Sequence, residues 1–267
     1  MSALLSVQKL EKTFGQVVAA RDINVDVPKG QTVGIIGANG AGKTTFVNMI
    51  TGHLTPSSGT ISFEGRDITG LASRLIMRLG IARSFQVAQV FPTFTVFENL
   101  CAAVAIARSG NTVLQAAASR FAAPAMHAEA EAALAQFQIA GFRDALASTL
   151  PQGIRKLLDI AMATAGEPRL LLLDEPTSGI SLEEKFGLMD IIMAALKAKG
   201  TTILFVEHDM DIVHRFADRV LAFYDGTVIA DGAPAEALGD ERVREFITGT
   251  LIRAKDGTLR SSGAVHA

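Results

Sequence analysis

Gly37-Ala38-Asn39-Gly40-Ala41-Gly42-Lys43-Thr44 decides the fold. The octet fits the pattern G-x-x-x-x-G-K-[ST] and lies between a short apolar run, Thr32-Val-Gly-Ile-Ile36, and a helix-like stretch beginning at Lys43. Strand, glycine loop and helix in that order open an α/β unit. The glycines let backbone N–H groups turn inward around phosphate oxygens, and the helix N-terminus behind them adds partial positive charge. Gly37, Asn39, Gly40, Ala41 and Gly42 are therefore read as lining a phosphate cradle. Lys43 is placed for the β- and γ-phosphates, Thr44 for Mg2+, and Thr45 for a further phosphate contact.

A second signal closes a buried strand, Leu170-Leu-Leu-Leu-Asp174-Glu175. Carboxylates at the carboxyl end of a parallel strand face the ligand crevice of an open α/β sheet. Asp174 is expected to hold Mg2+ through water and Glu175 to polarise the attacking water. His208 follows the apolar run Thr202–Val206 and takes the same kind of position. A lone histidine is more often structural, but one at a strand end beside a nucleotide site is assigned to that site. Phe14, in the turn after the first strand, is open between core packing and stacking on a purine.

The rest of the 267 residues fits this frame. Leu4–Leu10 and Val17–Val27 read as strands, Thr60–Phe63 and Ile81–Phe85 as further strands. Between about Val87 and Ala165 the texture turns alanine-rich (Cys101–Ala107, Leu114–Ala118, His127–Ala135), which predicts closely packed helices. Strand and helix then alternate again: Leu170–Leu173, Leu182–Lys197, Thr202–Val206. Asp225-Gly226 predicts a two-residue hairpin between Arg219–Tyr224 and Thr227–Ala230. Ser181 with Glu184 predicts a capping box. The polar tail from about Ala254 is expected to be loose.

Hydrophobic residues make up 49% and charged residues 19%, which excludes a disordered chain. Twenty-five Lys and Arg against 27 Asp and Glu leave a net charge of −2, with no sign of a polyanion binder. A single cysteine, Cys101, excludes an internal disulfide and fits a reducing compartment. No stretch reads as a signal peptide or membrane span, so a soluble, cytoplasmic chain is expected, with any membrane role supplied by a partner.

From about Leu4 to Leu238 the order and spacing of these motifs resemble an ABC-transporter ATP-binding subunit. Gly37–Thr44 is similar to Walker A, and Leu170–Asp174 with Glu175 to Walker B and its catalytic glutamate. Thr55-Pro-Ser-Ser-Gly-Thr-Ile-Ser-Phe-Glu-Gly65 resembles the stretch after the family's first helix. Gln86, closing Arg83-Ser-Phe-Gln86, matches the Q-loop glutamine, with a share in the metal site, and His208 matches the switch histidine. Phe14 falls where the family keeps an adenine-stacking aromatic. The resemblance implies a P-loop NTPase (RecA-like) α/β core with an antiparallel β subdomain and an inserted helical subdomain. One domain over 4–250 is implied, with core at about 4–86 and 166–250, helices at about 87–165, and a flexible tail at 251–267.

Within the family, Ala82-Arg-Ser-Phe-Gln-Val-Ala-Gln-Val-Phe91, Phe94-Thr-Val-Phe-Glu-Asn-Leu100 and Phe205-Val-Glu-His-Asp-Met-Asp211 look like importers of branched-chain or other hydrophobic amino acids. The resemblance implies ATP and Mg2+ as ligands, transmembrane permease subunits docked on an apolar lining at Val87–Phe97, and an extracytoplasmic solute-binding protein. It places the chain peripherally on the cytoplasmic face of the cell membrane. Importers of amides, urea or organic acids are the nearest alternative. A soluble ABC-type ATPase acting on nucleic acid or ribosomes would need tandem cassettes, a coiled-coil insert or a basic surface, so no nucleic-acid partner is expected. Two departures stand out. Leu150-Pro151-Gln152-Gly153-Ile154 replaces the usual Leu-Ser-Gly-Gly-Gln signature, keeping Leu150 and Gly153, and Ser181 replaces the D-loop Asp or Asn. Pro151 removes both a hydroxyl and an N–H from the signature, which predicts a heterodimer with a second, related ATPase, the alternative being a homodimer in which Gly153, the helix N-terminus behind it and Gln152 suffice.

Overall fold

The chain opens on two long antiparallel strands, β1 (Ala3–Phe14) and β2 (Val17–Pro28), in the computed structural model, which describes residues 3–109, 124–247 and 249. Leu5, Val7 and Leu10 of β1 and Ile23, Val25 and Val27 of β2 are buried, as expected of strands with one covered face. β4 (Ser58–Phe63) pairs with the other edge of β1, and the short β5 (Arg66–Asp67) completes an antiparallel sheet in the order β2-β1-β4-β5.

The described residues fall into two compact units, one drawn from Met1–Leu71 and Val206–Ala267, the other from Ala72–Phe205. In the first, β3 (Thr32–Gly37) is buried along its whole length and runs parallel to β9 (Arg219–Tyr224). α1 (Lys43–Ile50) follows the glycine loop and buries Phe46, Val47, Met49 and Ile50, with the Phe46 ring 5.2 Å from that of Phe223. β9 turns into antiparallel β10 (Thr227–Gly232) through Asp225 and Gly226, whose φ values are 44° and 74°. Two successive positive φ values are what a primed hairpin turn needs, so the Asp-Gly signal held. α7 (Met210–Phe216) starts at Asp209, whose carboxylate accepts the N–H groups of Asp211 and Ile212. α8 (Pro234–Gly239) and α9 (Glu241–Phe246) end the unit's described part.

The second unit begins with α2 (Ser73–Arg78) and β6 (Ile81–Ser84), which runs parallel to β7 (Leu170–Asp174) with β8 (Thr202–Val206) on β7's far side. Between β6 and β7 lie α3 (Val96–Ser109), α4 (Pro124–Gln136) and α5 (Gln152–Ala163). α3 packs against both α4 and α5, and Ala102, Ala105 and Ala130 are buried, small side chains that permit close approach. α6 (Leu182–Ala198) connects β7 to β8. The expected helix at Leu114–Ala118 and the tail from Ala254 lie outside the described residues.

One helix start differs from expectation. Ser181 is the N-cap of α6, but its hydroxyl donates to Glu184 Oε2 (2.9 Å) and caps no backbone N–H. The Glu184 N–H donates to the Ser181 carbonyl (3.1 Å) rather than to the hydroxyl, so the reciprocal box does not form. The box forms instead before α3: Thr95 N donates to Glu98 Oε2 (2.8 Å), and Glu98 N donates to Thr95 Oγ1 (3.2 Å).

Candidate nucleotide site

In the first unit the phosphate loop joins β3 to α1. Gly37, Gly40 and Gly42 have φ values of 152°, 80° and 100°, a region where other residues are strained. A Cβ on Gly42 would stand 2.6 Å from the Ala19 carbonyl oxygen and 3.2 Å from Gly226 Cα. The hairpin turn is bonded into this contact, since Gly226 N donates to Ala41 O (3.1 Å) and Arg21 N donates to Gly226 O (2.8 Å). No side chain caps α1. Lys43 is buried, and its ammonium donates to the loop carbonyls of Gly37 (2.6 Å) and Ala38 (2.9 Å). Thr44 is exposed and Thr45 half-buried, while Ala38, Asn39 and Gly40 stand open to solvent. A glycine-shaped loop, exposed at residues 38–40 with a lysine folded against it, fits a nucleotide's phosphates.

Phe14 is 51% exposed, with the Lys12 ammonium 5.1 Å from its ring centroid. It is therefore not a core side chain. His208 is exposed just beyond β8, and its N–H donates to Glu207 Oε2 (3.2 Å).

The second unit holds the carboxylates. Asp174 closes β7, and its Oδ2 accepts from Arg83 Nη2 at 2.5 Å, with the two side chains only 17% and 8% exposed. Glu175 has φ 46°, a left-handed conformation rare outside glycine, and its Oε2 accepts from Gln86 Nε2 at 2.6 Å. Gln86 itself is exposed, but its backbone is clamped by α5. Lys156 Nζ donates to the carbonyls of Phe85 (2.7 Å) and Gln86 (3.1 Å), and Asp159 Oδ1 accepts Gln89 N (2.7 Å). Burial pushes the Asp159 carboxyl up from its ordinary range, against the opposing pull of the Gln89 N–H and the Lys156 charge. A carboxylate at a strand end is an oxygen donor of the kind a divalent metal takes, and here the Arg83 guanidinium occupies it. Among the described residues no three His, Cys, Asp or Glu side chains form a cation cluster of their own, so a metal here would need phosphate oxygens and water as well.

The altered signature starts α5. Pro151 is its N-cap and offers no side-chain cap. Gln152 Nε2 donates to Ser178 O (3.2 Å), and its amide lies so close to Gly179 (φ 76°) that a Cβ there would collide with it. Gly153 is half-buried beside them.

Nearby in sequence, Phe91 is 37% exposed and Phe94 half-buried, their ring centroids 5.3 Å apart. Phe97 is the packed member of the expected lining, between the His127 ring (5.3 Å) and the Arg143 guanidinium (3.9 Å). The Phe91–Thr95 loop is held by fully buried Asn99, whose Oδ1 accepts Phe91 N (2.8 Å). Its Nδ2 donates to the carbonyls of Phe91, Phe94 and Thr95 (3.1, 3.3 and 2.9 Å). No helix among the described residues is long and apolar enough to cross a membrane.

The profile of the family described as ABC transporter matches residues 20–178. The chain belongs to the ABC transporter family. It is accordingly an ABC ATPase, with the fold of an ATP-binding cassette. It is 34% identical to a probable branched-chain amino acid transport ATP-binding protein, LivG, of Archaeoglobus fulgidus, over 92% of this chain and 95% of the relative. It is 35% identical to the high-affinity branched-chain amino acid transport ATP-binding protein BraF of Pseudomonas aeruginosa, over 87% of this chain and 92% of BraF. Among solved structures, a nucleotide-free ATP-binding cassette from an ABC transporter superposes with a TM-score of 0.79 at 30% identity, covering 91% of this chain and 98% of that one. A cassette in its ADP conformation gives 0.79 at 32% identity, covering 92% and 98%.

The phosphate loop, the strand-end carboxylates and the segment at Gln86 each rest on the local contacts described above. Sequence reasoning missed Arg83, Lys156, Asp159 and Asn99. Their partners are backbone groups or residues far along the chain, and only the residue three before Gln86 carried any local hint.

Proposed function

We propose that this cassette hydrolyses ATP to power uptake of branched-chain or other hydrophobic amino acids. It would do so from the cytoplasmic face of the membrane, bound to permease subunits that an extracytoplasmic solute-binding protein supplies. The observation that carries this reading is Glu175, held at 2.6 Å by Gln86 beside the metal-side carboxylate. The chain around it is alike to two branched-chain transport ATP-binding proteins along about nine-tenths of its length. The division into a core at about 4–86 and 166–250 and a helical subdomain at about 87–165 belongs to the same reading.

Each residue's part follows from its chemistry. The loop amides of Gly37–Gly42 and the Lys43 ammonium bind the phosphates, and Phe14 stacks on the base. Thr44, Asp174 and Gln86 would hold Mg2+, which when bound neutralises charge on the β- and γ-oxygens. Glu175 orients the attacking water and accepts its proton, and His208 steadies the γ-phosphate. Gly153 and the start of α5 meet the nucleotide of a second cassette. With Pro151 lacking a hydroxyl and an N–H, that contact is weaker than its counterpart, which favours a heterodimer with a related ATPase.

The test is transport and ATPase assay of the reconstituted complex, with solute competition among leucine, amides, urea and small organic acids. Stimulation of ATP hydrolysis by leucine-loaded binding protein supports the reading, and stimulation only by another solute class replaces the amino-acid part. For the asymmetry, Glu175→Gln is compared with the equivalent change in the partner ATPase. Unequal losses support the heterodimer, and a fully active homodimer of this chain removes it.

A further inference from the structure

We propose that Arg83 is the resting counterion of Asp174. It is a positioning residue that occupies the metal-side carboxylate and thereby keeps a divalent cation from binding before nucleotide arrives. The proposal rests on the reading of Asp174 as the metal carboxylate. Three observations carry it. The Arg83–Asp174 pair is short, 2.5 Å, and largely buried, so water screens it little. Arg83 sits on β6, in register with Leu172 of the parallel strand β7, so two strands fix the pair's geometry. The chain leaving β6 is then fixed by α5, through Lys156 on the carbonyls of Phe85 and Gln86 and Asp159 on the N–H of Gln89. Arg83 is therefore a cation held in place at both ends of its segment.

The electrostatic consequence has a definite sign. A guanidinium at hydrogen-bond distance neutralises the carboxylate and adds positive potential where a metal would sit. A free divalent cation meets a site that is already compensated. A cation arriving with a nucleotide brings the phosphate charge with it and outweighs Arg83. In this way Arg83 makes nucleotide a condition for metal binding. Three residues further on, Gln86 holds Glu175, so one short segment occupies both adjacent carboxylates.

The experiment is Mn2+ binding to the purified full chain, followed by electron paramagnetic resonance, with and without ATP. Arg83→Met keeps much of the stem and removes the charge. It is expected to bind Mn2+ without nucleotide at least tenfold more tightly than the unaltered chain, and Mn2+ alone should restore the thermal midpoint lost by the substitution. Unchanged or weaker Mn2+ binding by folded Arg83→Met overturns the proposal. Should Arg83→Met not fold, arginine side-chain NMR of the unaltered chain decides. The Arg83 signal, identified by its loss in Arg83→Lys, should shift with ATP and Mg2+ but not with ATP and chelator. No shift with Mg2+ and ATP overturns the proposal. Asp174→Asn separates the two readings. If ATP-supported Mn2+ binding survives Asp174→Asn, the metal assignment of Asp174 fails and this proposal with it. If it is lost while Arg83→Met changes nothing, the role of Arg83 alone is wrong.

Discussion

Gln86 Nε2 donates to Glu175 Oε2 across 2.6 Å, so the carboxylate at the end of β7 is engaged by an amide of its own chain. Glu175 also has a backbone in the left-handed region (φ 46°), a conformation that costs on the order of 1–3 kcal/mol. Glu175→Gln keeps the shape and removes the negative charge. Hydrolysis is expected to fall at least ~100-fold while ATP binding persists, which single-turnover kinetics and calorimetry measure separately. Near-normal turnover would remove Glu175 from the base role.

Lys43→Ala deletes the ammonium that bonds the carbonyls of Gly37 and Ala38. One charge-assisted contact is worth ~1.5–3 kcal/mol, so ATP affinity should drop about 10- to 150-fold. Calorimetric titration reads this directly, and an unchanged dissociation constant means the cradle is not used as described.

Asn99→Leu removes four hydrogen bonds to the backbone of Phe91, Phe94 and Thr95. Leaving some of those groups unsatisfied should cost about 2–4 kcal/mol in urea denaturation. The same change, or Phe91→Asp on the exposed ring itself, is expected to lower permease pull-down while nucleotide affinity holds. Retained pull-down would place the docking surface elsewhere.

Cys101 supplies a pH test. Burial in α3 pushes its thiol up to about 11, so the folded chain holds the proton more tightly than the unfolded chain does. For a raised pKa the stabilisation is full below the unfolded value, ~8.5, and is lost as pH rises toward the folded one. Urea midpoints of the unaltered chain should therefore fall relative to Cys101→Ala between about pH 8.5 and 11. A difference that does not vary with pH contradicts this.

Local chemistry was legible in the sequence. The glycine loop, the apolar runs of β3, β7 and β8, and the Asp225-Gly226 turn each depend on neighbours within a few residues. What escaped were contacts that only the finished fold creates. Arg83 finds Asp174 ninety-one residues away, and Lys156 reaches a carbonyl seventy-one residues back. The capping boxes make the same point at short range. Both Ser181 and Thr95 bond the carboxylate three residues on, yet only the Thr95 hydroxyl also accepts the backbone N–H that completes the box. Spacing selects the possible partners, and side-chain geometry chooses between them. For Phe14 the fold shows an exposed ring, which the sequence had left open between surface and core.

The contact among Ala19, Gly42 and Gly226 has a kinetic consequence. Three backbone segments meet there without an intervening side chain, so the phosphate loop is braced from outside rather than by what it binds. Little ordering of the loop remains to be done when ATP arrives. Association should then be limited by encounter and by the release of water from the phosphates, with no slow phase for loop closure. A Cβ at Gly226, whose φ is 74°, would press on the Ala19 backbone at 3.2 Å and convert a preformed receptacle into one that each nucleotide must reshape.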